Sequence, residues 1–415
     1  MTPRSLFGLA TLLVATAIIG AACTSPQLPN VPITFGHTPQ PVTLHVNEDF
    51  IEETRRKAGN TRFAVDLDQP DFVDGVPSRV VREWSDYWAN EYDWSKVEES
   101  LNRDFRHFTT TVHAGENYTH PIPLHFIHHK SNRTDAIPLL FLHGWPGTFH
   151  EAAKIVDILT NPPNTSVPAF HVVAPSMPGF GFSPSPRYPG LGLREIGQGF
   201  NELMAQLGYA KYVGQGGDFG SHTLRLMAAD FPNSVVSILS NMFSVAPNAT
   251  DLERFANNQT TPEETAMMRQ LTDPGFSWTA AYWDIEKTVP LQVAIGLTDS
   301  PLAWVAWQYM GMRMLTPGYD WEAEELITWS MLNFIQGPYG GLRLYKEVYR
   351  VRISSKLTNS AVANLTGVSI GGSPRRRIPF RIPACRSVEV FWRRRVLCGM
   401  FNAVITPGMS MTCEC

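Results

Sequence analysis

The segment Gly216-Gly217-Asp218-Phe219-Gly220 constrains the fold of this chain more than any other part of its sequence. It has the spacing of a nucleophile elbow, a strained turn from a strand into a helix whose glycines allow close backbone packing. The flanking residues support this interpretation, because 210–215 has the pattern of a short buried strand and 221–229 that of an apolar helix. Asp218 would then lie at the carboxyl end of a strand and at a helix N terminus, where the dipole favours an anion. An ordinary Gly/Asp turn is the alternative interpretation of these residues alone.

An aspartate at the centre of the elbow, where serine is usual, changes the chemistry to be expected. A carboxylate attacks an electrophilic carbon and forms an alkyl ester, which water must then cleave, whereas serine would form an acyl-enzyme. The pattern therefore favours an epoxide or an alkyl halide as the substrate, rather than a carboxylic ester.

The middle of the chain alternates short apolar runs with helical segments. Over 132–246 this alternation predicts an α/β core with a mostly parallel, doubly wound sheet. Residues 247–340 lose the alternation and become helical and Trp-rich, which indicates a helical cap inserted into the core, and 341–370 return to the core. Before the core, 33–131 has helical patterning at 48–57 and 78–102, with an aromatic stripe that we expect to pack against the main domain.

The turn His143-Gly144-Trp145-Pro146-Gly147 follows the predicted strand that ends at Leu142. Such a turn can donate a backbone amide to an oxyanion hole, and the second amide comes from the residue after the nucleophile, here Phe219. His143 could be a general base, but a histidine beside glycine in a tight turn more often holds the loop by hydrogen bonds.

Several motifs together resemble the microsomal-type epoxide hydrolases of the α/β-hydrolase superfamily. The resemblance runs from about Ile33 to about Ile370 and is carried by the runs Trp88-Ala-Asn-Glu-Tyr-Asp-Trp94, Leu101-Asn102, His125-Phe-Ile-His128, His143-Gly-Trp-Pro-Gly147, Pro175-Ser-Met-Pro-Gly-Phe-Gly-Phe-Ser183, Gln215-Gly-Gly-Asp-Phe-Gly220 and Leu297-Thr-Asp-Ser-Pro301. It implies an α/β-hydrolase fold with a helical cap, an epoxide hydrolase N-terminal region at 33–131, and conversion of a small-molecule epoxide to a vicinal diol. Neither cofactor nor metal is implied.

The resemblance also assigns site residues. Asp218 would be the nucleophile, Tyr345 the proton donor and Tyr282 a second phenol that polarises the epoxide oxygen, while the amides of Trp145 and Phe219 would form the oxyanion hole. A phenol with a pKa near 10 can protonate an alkoxide as it forms. Without the resemblance, both tyrosines would be read as core or cap aromatics.

The last part of the chain departs from the family pattern. After residue 370 the family continues with segments that carry the triad acid and the histidine base, but 371–415 is an Arg- and Cys-rich tail, and no histidine follows His222. His222 suits packing better than catalysis, so the acid and the base stay unassigned. The tail is explained by a frame-shifted or mis-spliced gene, by an inactive homologue, or by a basic module for anionic partners. Alternative functions are a haloalkane dehalogenase or a catalytically inactive ligand-binding homologue.

Composition and the N terminus bear on partners and location. A net charge of -4 gives no basic surface for nucleic acid. Residues 1–22 have the pattern of a signal peptide, which predicts a secreted or lumenal protein, with an uncleaved membrane anchor as the alternative. Cys23 follows a lipoprotein-like box, but six glycosylation sequons, at Asn117, Asn132, Asn164, Asn248, Asn258 and Asn364, favour a eukaryotic secretory route.

Overall fold

The computed structural model describes residues 28–242, 247–272, 281–350 and 368–370. The predicted signal peptide at 1–22, Cys23, Asn364 and the tail at 371–415 lie outside the described residues.

An eight-stranded sheet forms the centre of the molecule, in the spatial order β1-β2-β3-β5-β4-β6-β7-β8. Its strands are β1 (Gln40–Pro41), β2 (His107–Val112), β3 (Ile122–His129), β4 (Ile137–Leu142), β5 (Phe170–Pro175), β6 (Tyr212–Gly216), β7 (Val235–Ser240) and β8 (Val368–Ile370). Strands β4 to β8 pair in parallel, as predicted. The first three strands add antiparallel pairs, so the sheet is more mixed than the sequence indicated.

The described helices fall into three groups along the chain. Those before the core are α1 (Glu48–Gly59), α2 (Ser78–Asn90) and α3 (Trp94–Asp104), and those of the core are α4 (Val156–Thr160), α5 (Leu193–Gln206) and α6 (Asp218–Asp230). The rest are α7 (Ala249–Ala256), α8 (Pro262–Thr272), α9 (Ala281–Thr288), α10 (Pro290–Asp299), α11 (Pro301–Leu315), α12 (Ala323–Phe334) and α13 (Tyr339–Arg350). A short 3-10 helix, Phe149–Ala152, precedes α4.

The core strands are buried because they lie between packed helices. Leu140, Val172 and Val173 are fully buried on β4 and β5, as expected for inner strands of a parallel sheet. A glycine is required in β6, since a Cβ on Gly214 would approach the Leu224 side chain of α6 to 2.4 Å. The small residue lets α6 lie directly on the sheet, and this close approach sets the position of the helix N terminus.

The N-terminal region is part of the same folded unit. The aromatic stripe packs as predicted: Trp84 meets Tyr309 of α11 edge to face at 5.0 Å, and the Tyr92 hydroxyl lies 3.1 Å from Thr328 Oγ1 of α12. The predicted helix at 78–102 is divided into α2 and α3, because the Asp93 side chain caps a new helix by accepting from the Lys96 amide.

The helices from α7 to α12 lie within 247–340, the range predicted as a cap, and residues in and just after α12 contact loops of the core. Asn333 donates to the Pro146 carbonyl at 2.8 Å, and Gln336 donates to the Gly181 carbonyl at 2.7 Å. Among the described residues, no helix combines the length and the hydropathy needed to span a bilayer.

Candidate active site

The site lies where the connections of the sheet change direction. Strand β4 lies between β5 and β6, and the chain leaves β4 for β5 on one side and later reaches β6 on the other. Such a switch point leaves a crevice at the carboxyl ends of the strands. The loop at 143–147 follows β4, and Asp218 follows β6. The topology therefore brings together two motifs that are about 70 residues apart in sequence.

Asp218 has the strained backbone of an elbow. Its φ is 47°, in the left-handed region that non-glycine residues seldom occupy. Both flanking glycines are needed for space: a Cβ on Gly216 would lie 2.7 Å from the backbone of Gly220, and one on Gly220 would lie 2.3 Å from the Leu142 carbonyl oxygen. The turn holds the aspartate against the loop after β4, so the interpretation as an ordinary turn does not describe this segment.

The Asp218 carboxylate is held by backbone amides. The Trp145 amide donates to Oδ1 at 2.9 Å, and the Phe219 amide also stabilises the anion. Burial is the larger influence and raises the pKa of Asp218 to about 6, against the opposing effect of the two amides. The carboxylate is therefore mostly ionised at neutral pH, yet poorly solvated, as a nucleophile should be.

His143 holds the loop, which confirms the structural interpretation of this residue. The Met177 amide donates to His143 Nε2 at 2.9 Å, so Nδ1 carries the proton and donates to the Gly144 carbonyl at 3.0 Å. Burial lowers the pKa of the imidazole to about 4. With both nitrogens engaged, His143 is not available as a base.

Tyr282, on α9, and Tyr345, on α13, converge on Trp145. The Tyr282 ring stacks on the Trp145 indole at 4.9 Å, and the Tyr345 ring meets Trp145 edge-on at 5.7 Å and Phe219 at 4.7 Å. The two phenol rings lie 6.1 Å apart and interact through their hydroxyls. Burial is the main influence on both phenols and raises their pKa values, so they stay protonated and can donate. All five residues assigned from the sequence thus lie together.

Two buried glutamates near the site were missed by the sequence analysis. Glu151 is 3% exposed and Glu286 is fully buried, and the pKa of each is raised well above its usual value, first by burial and then by the Asp218 charge. The Glu151 carboxyl fills the place that a side chain on residue 147 would take, since a Cβ there would lie 1.6 Å from Oε1. Their positions in the sequence are the only signals that could have identified them, and both are weak. Glu151 lies shortly after the glycine-rich turn at 143–147, and Glu286 follows Tyr282 by four residues.

The structure gives no contact between a described histidine and the Asp218 carboxylate. The groups that shift the Asp218 pKa include neither His222 nor any other imidazole. His222 is half-buried on α6, and burial lowers its pKa to about 4. Within the described ranges, no cluster of His, Cys, Asp and Glu could hold a metal ion.

Comparison with known proteins places the chain in a family. The model described as epoxide hydrolase N terminus matches residues 39–152, and the one described as alpha/beta hydrolase fold matches 137–290. Juvenile hormone epoxide hydrolase of Bombyx mori is 30% identical over 75% of this chain and 71% of its own length, and epoxide hydrolase 1 of Sus scrofa is 30% identical over 74% and 72%.

Solved structures agree with this placement. The crystal structure of the Bombyx mori juvenile hormone epoxide hydrolase superposes with a TM-score of 0.69 at 28% identity, covering 81% of this chain and 82% of that one. The Aspergillus niger epoxide hydrolase shares the fold, with a TM-score of 0.63 at 23% identity over 83% of this chain and 91% of its own. The chain spans only 59% and 58% of the lengths of relatives from Stigmatella aurantiaca and Ctenocephalides felis. Its α/β-hydrolase fold is as predicted, and the chain belongs to the epoxide hydrolase family that carries the epoxide hydrolase N terminus.

Proposed function

We propose that the chain opens small-molecule epoxides through an ester on Asp218. The observation that carries the proposal is the convergence of two protonated phenols, Tyr282 and Tyr345, on Trp145, whose amide holds the anionic Asp218 at 2.9 Å. An epoxide needs an anionic nucleophile on its carbon and a proton donor on its oxygen, and this geometry supplies both.

In the first half-reaction, an Asp218 carboxylate oxygen attacks the less hindered epoxide carbon. The carbon–oxygen bond of the ring breaks, and the departing oxygen takes a proton from Tyr345 while Tyr282 binds the same oxygen. The product is a hydroxyalkyl ester of Asp218. Because burial raises the pKa of Tyr345, the tyrosinate left behind is a strong base that takes up a proton again.

In the second half-reaction, water attacks the ester carbonyl carbon of Asp218. The Trp145 and Phe219 amides, which contact the carboxylate in the free protein, would stabilise the oxyanion of the tetrahedral intermediate. Its collapse releases the diol and restores the carboxylate. A general base contributes about 10² to 10⁴-fold to such a step, so without an assigned base we expect the ester to form faster than it is cleaved.

The test is to incubate the purified protein with an aryl epoxide and to follow its intact mass. We expect an increase by the mass of one epoxide, with the modification on Asp218 by peptide mapping. Accumulation of the ester supports slow release, whereas diol formation without accumulation shows that a base exists. A protein that acquires no adduct and forms no diol would be the inactive homologue.

A haloalkane dehalogenase remains the second candidate because one feature favours it. The Trp145 indole nitrogen is buried and has no hydrogen-bond partner among the described residues, and an indole N–H is a suitable donor to a halide. The pair of phenols, by contrast, favours an epoxide over a haloalkane as the substrate. Free halide released from a bromoalkane, with no adduct from an epoxide, would decide for the dehalogenase.

For location, we propose a secreted or lumenal glycoprotein. The five sequon asparagines within the described residues, at positions 117, 132, 164, 248 and 258, are all exposed, as an acceptor must be. Expression in a eukaryotic secretory cell should give a product that loses mass on treatment with a glycosidase. Retention of an unglycosylated product in the cytoplasm would contradict this proposal.

For the tail, we propose that a frame shift or splicing error generates 371–415. Sequencing the transcript across the codons from Ser369 to Cys415 tests it. A shifted reading frame that restores a glutamate and a histidine would supply the missing acid and base, whereas an unaltered transcript would assign the tail to the protein.

A further inference from the structure

Glu286 has a hydrogen-bonding capacity that the described part of the chain leaves unused. Its side chain is fully buried on α9, and the Trp307 indole nitrogen donates to Oε1 at 2.9 Å. Oε2 has no hydrogen-bond partner among the described residues. Buried polar atoms in native proteins are nearly always paired, so an unpaired one beside a reactive centre points to an occupant from outside the chain.

The position of Glu286 relates it directly to the epoxide-binding phenol. It follows Tyr282 by four residues on the same helix, and side chains with this spacing lie on one face, about 5 Å apart along the axis. That face is turned toward the site, because the Tyr282 ring stacks on Trp145. The Asp218 charge acts on Glu286, and Glu286 in turn acts on both phenols, so the four groups lie near one another.

The protonation state determines what Oε2 can bind. Burial, together with the Asp218 charge, raises the pKa of Glu286 well above its usual value, which favours the neutral carboxyl group. Since Oε1 accepts from Trp307, the proton resides on Oε2, which is then a donor. A neutral O–H donor selects a neutral acceptor oxygen, such as a carbonyl, and has no charge with which to hold a cation.

We propose that Glu286 is a substrate-binding residue that donates a hydrogen bond from Oε2 to a carbonyl oxygen of the epoxide substrate. The inference rests on the proposed function, because Tyr282 must hold the oxirane oxygen. One helical turn separates the two donors, so the carbonyl and the oxirane oxygen are expected about 5 Å apart. This spacing corresponds to a carbonyl a few bonds from the ring, as in a glycidyl ester, and predicts a preference for such substrates over plain alkyl epoxides.

The experiment compares rates of Asp218 alkylation, measured by intact mass, so that it does not depend on turnover. Glycidyl butyrate is compared with an unbranched terminal alkyl epoxide of equal chain length. We expect the wild-type protein to react faster with the glycidyl ester, and Glu286→Met to lower the ratio of the two rate constants by about tenfold, the effect of one lost hydrogen bond. Glu286→Gln should keep most of the preference, because its oxygen still accepts from Trp307 and its amide N–H still donates.

The matched control is Asp284→Asn, an exposed position on the same helix, which should leave the ratio unchanged. Equal reactivity of the wild-type protein toward both epoxides would overturn the inference without any variant. An unchanged ratio in Glu286→Met would overturn it too, as would an equal loss in the glutamine and methionine variants, and Asp218 would still be alkylated in each case. Failure of the wild-type protein to form either an adduct or a diol with both epoxides would overturn the proposed function itself.

Discussion

At the scale of single residues, burial raises the pKa values of a carboxyl group that must ionise and of two phenols that must stay protonated. The anionic Asp218 has its pKa raised to about 6, and two backbone amides keep it from rising further. The phenols of Tyr282 and Tyr345 have raised pKa values and remain proton donors. The nucleophile ionises below neutral pH, and the proton donors ionise far above it. Both are therefore in the reactive protonation state across a wide range of pH.

The first prediction concerns the pH dependence of Asp218 alkylation. Only the ionised carboxylate is a nucleophile, so the rate should be constant above about pH 7 and fall about tenfold per pH unit well below pH 6. The measurement is adduct formation by intact mass between pH 4 and 8. A half-maximal rate near the ordinary aspartate pKa would show that burial does not raise the pKa of this group.

The second prediction concerns the proton donor. Tyr345→Phe should lower the alkylation rate constant by about 10²-fold, because the departing alkoxide loses its acid while the ring keeps its packing against Phe219. Tyr309→Phe, in a ring that packs on Trp84 in the helical layer, is the matched control and should react like the wild-type protein. Equal rates in both variants would remove Tyr345 from the proposed mechanism.

At the scale of elements, the loop after β4 is held in place by a helix from another part of the chain. Asn333 on α12 donates to the Pro146 carbonyl at 2.8 Å and accepts from the Gly181 amide at 3.2 Å. One buried side chain thus fixes two loops at the site, including the loop whose Trp145 amide contacts Asp218.

The third prediction tests this link. Asn333→Ala leaves a buried carbonyl and a buried amide unpaired, so we expect a loss of about 1–3 kcal/mol in the free energy of unfolding and slower alkylation of Asp218. The control is Asn47→Ala, which removes the N-cap of α1 and should lower stability by about 1 kcal/mol. Thermal denaturation measures stability, and intact mass measures alkylation. Equal slowing in both variants would show that the effect is one of general stability.

At the scale of the whole molecule, the N-terminal region and the core are one sheet. Strand β3 pairs with β5, and β2 pairs with β3, so removal of this region would expose the edge of β5 and a buried apolar face. Trp84, Tyr92 and Phe50 add contacts to α11 and α12.

The fourth prediction follows from this shared sheet. Heat should unfold the N-terminal region and the core in one cooperative transition, because neither buries its apolar surface alone. Scanning calorimetry, together with circular dichroism and tryptophan fluorescence, measures the number of thermal transitions. A chain that starts at residue 132 should be insoluble, whereas one that starts at residue 28 should melt like the full chain. Two separate transitions would contradict a single unit.

The sequence by itself determined the local chemistry and much of the fold. The elbow spacing identified Asp218, the alternation of apolar runs predicted the parallel strands and helices of the core, and the motifs selected Trp145, Phe219, Tyr282 and Tyr345, since each depends on residues close together in the chain. Strands β2 and β3 were missed because they are buried on both faces and carry Thr and His in place of an apolar alternation. Only the tertiary structure decided that the two phenols converge on Trp145, that Asn333 fixes the loop, and that Glu286 is buried with Oε2 unpaired among the described residues. Burial and pairing arise from contacts between residues far apart in sequence, and no local pattern encodes them.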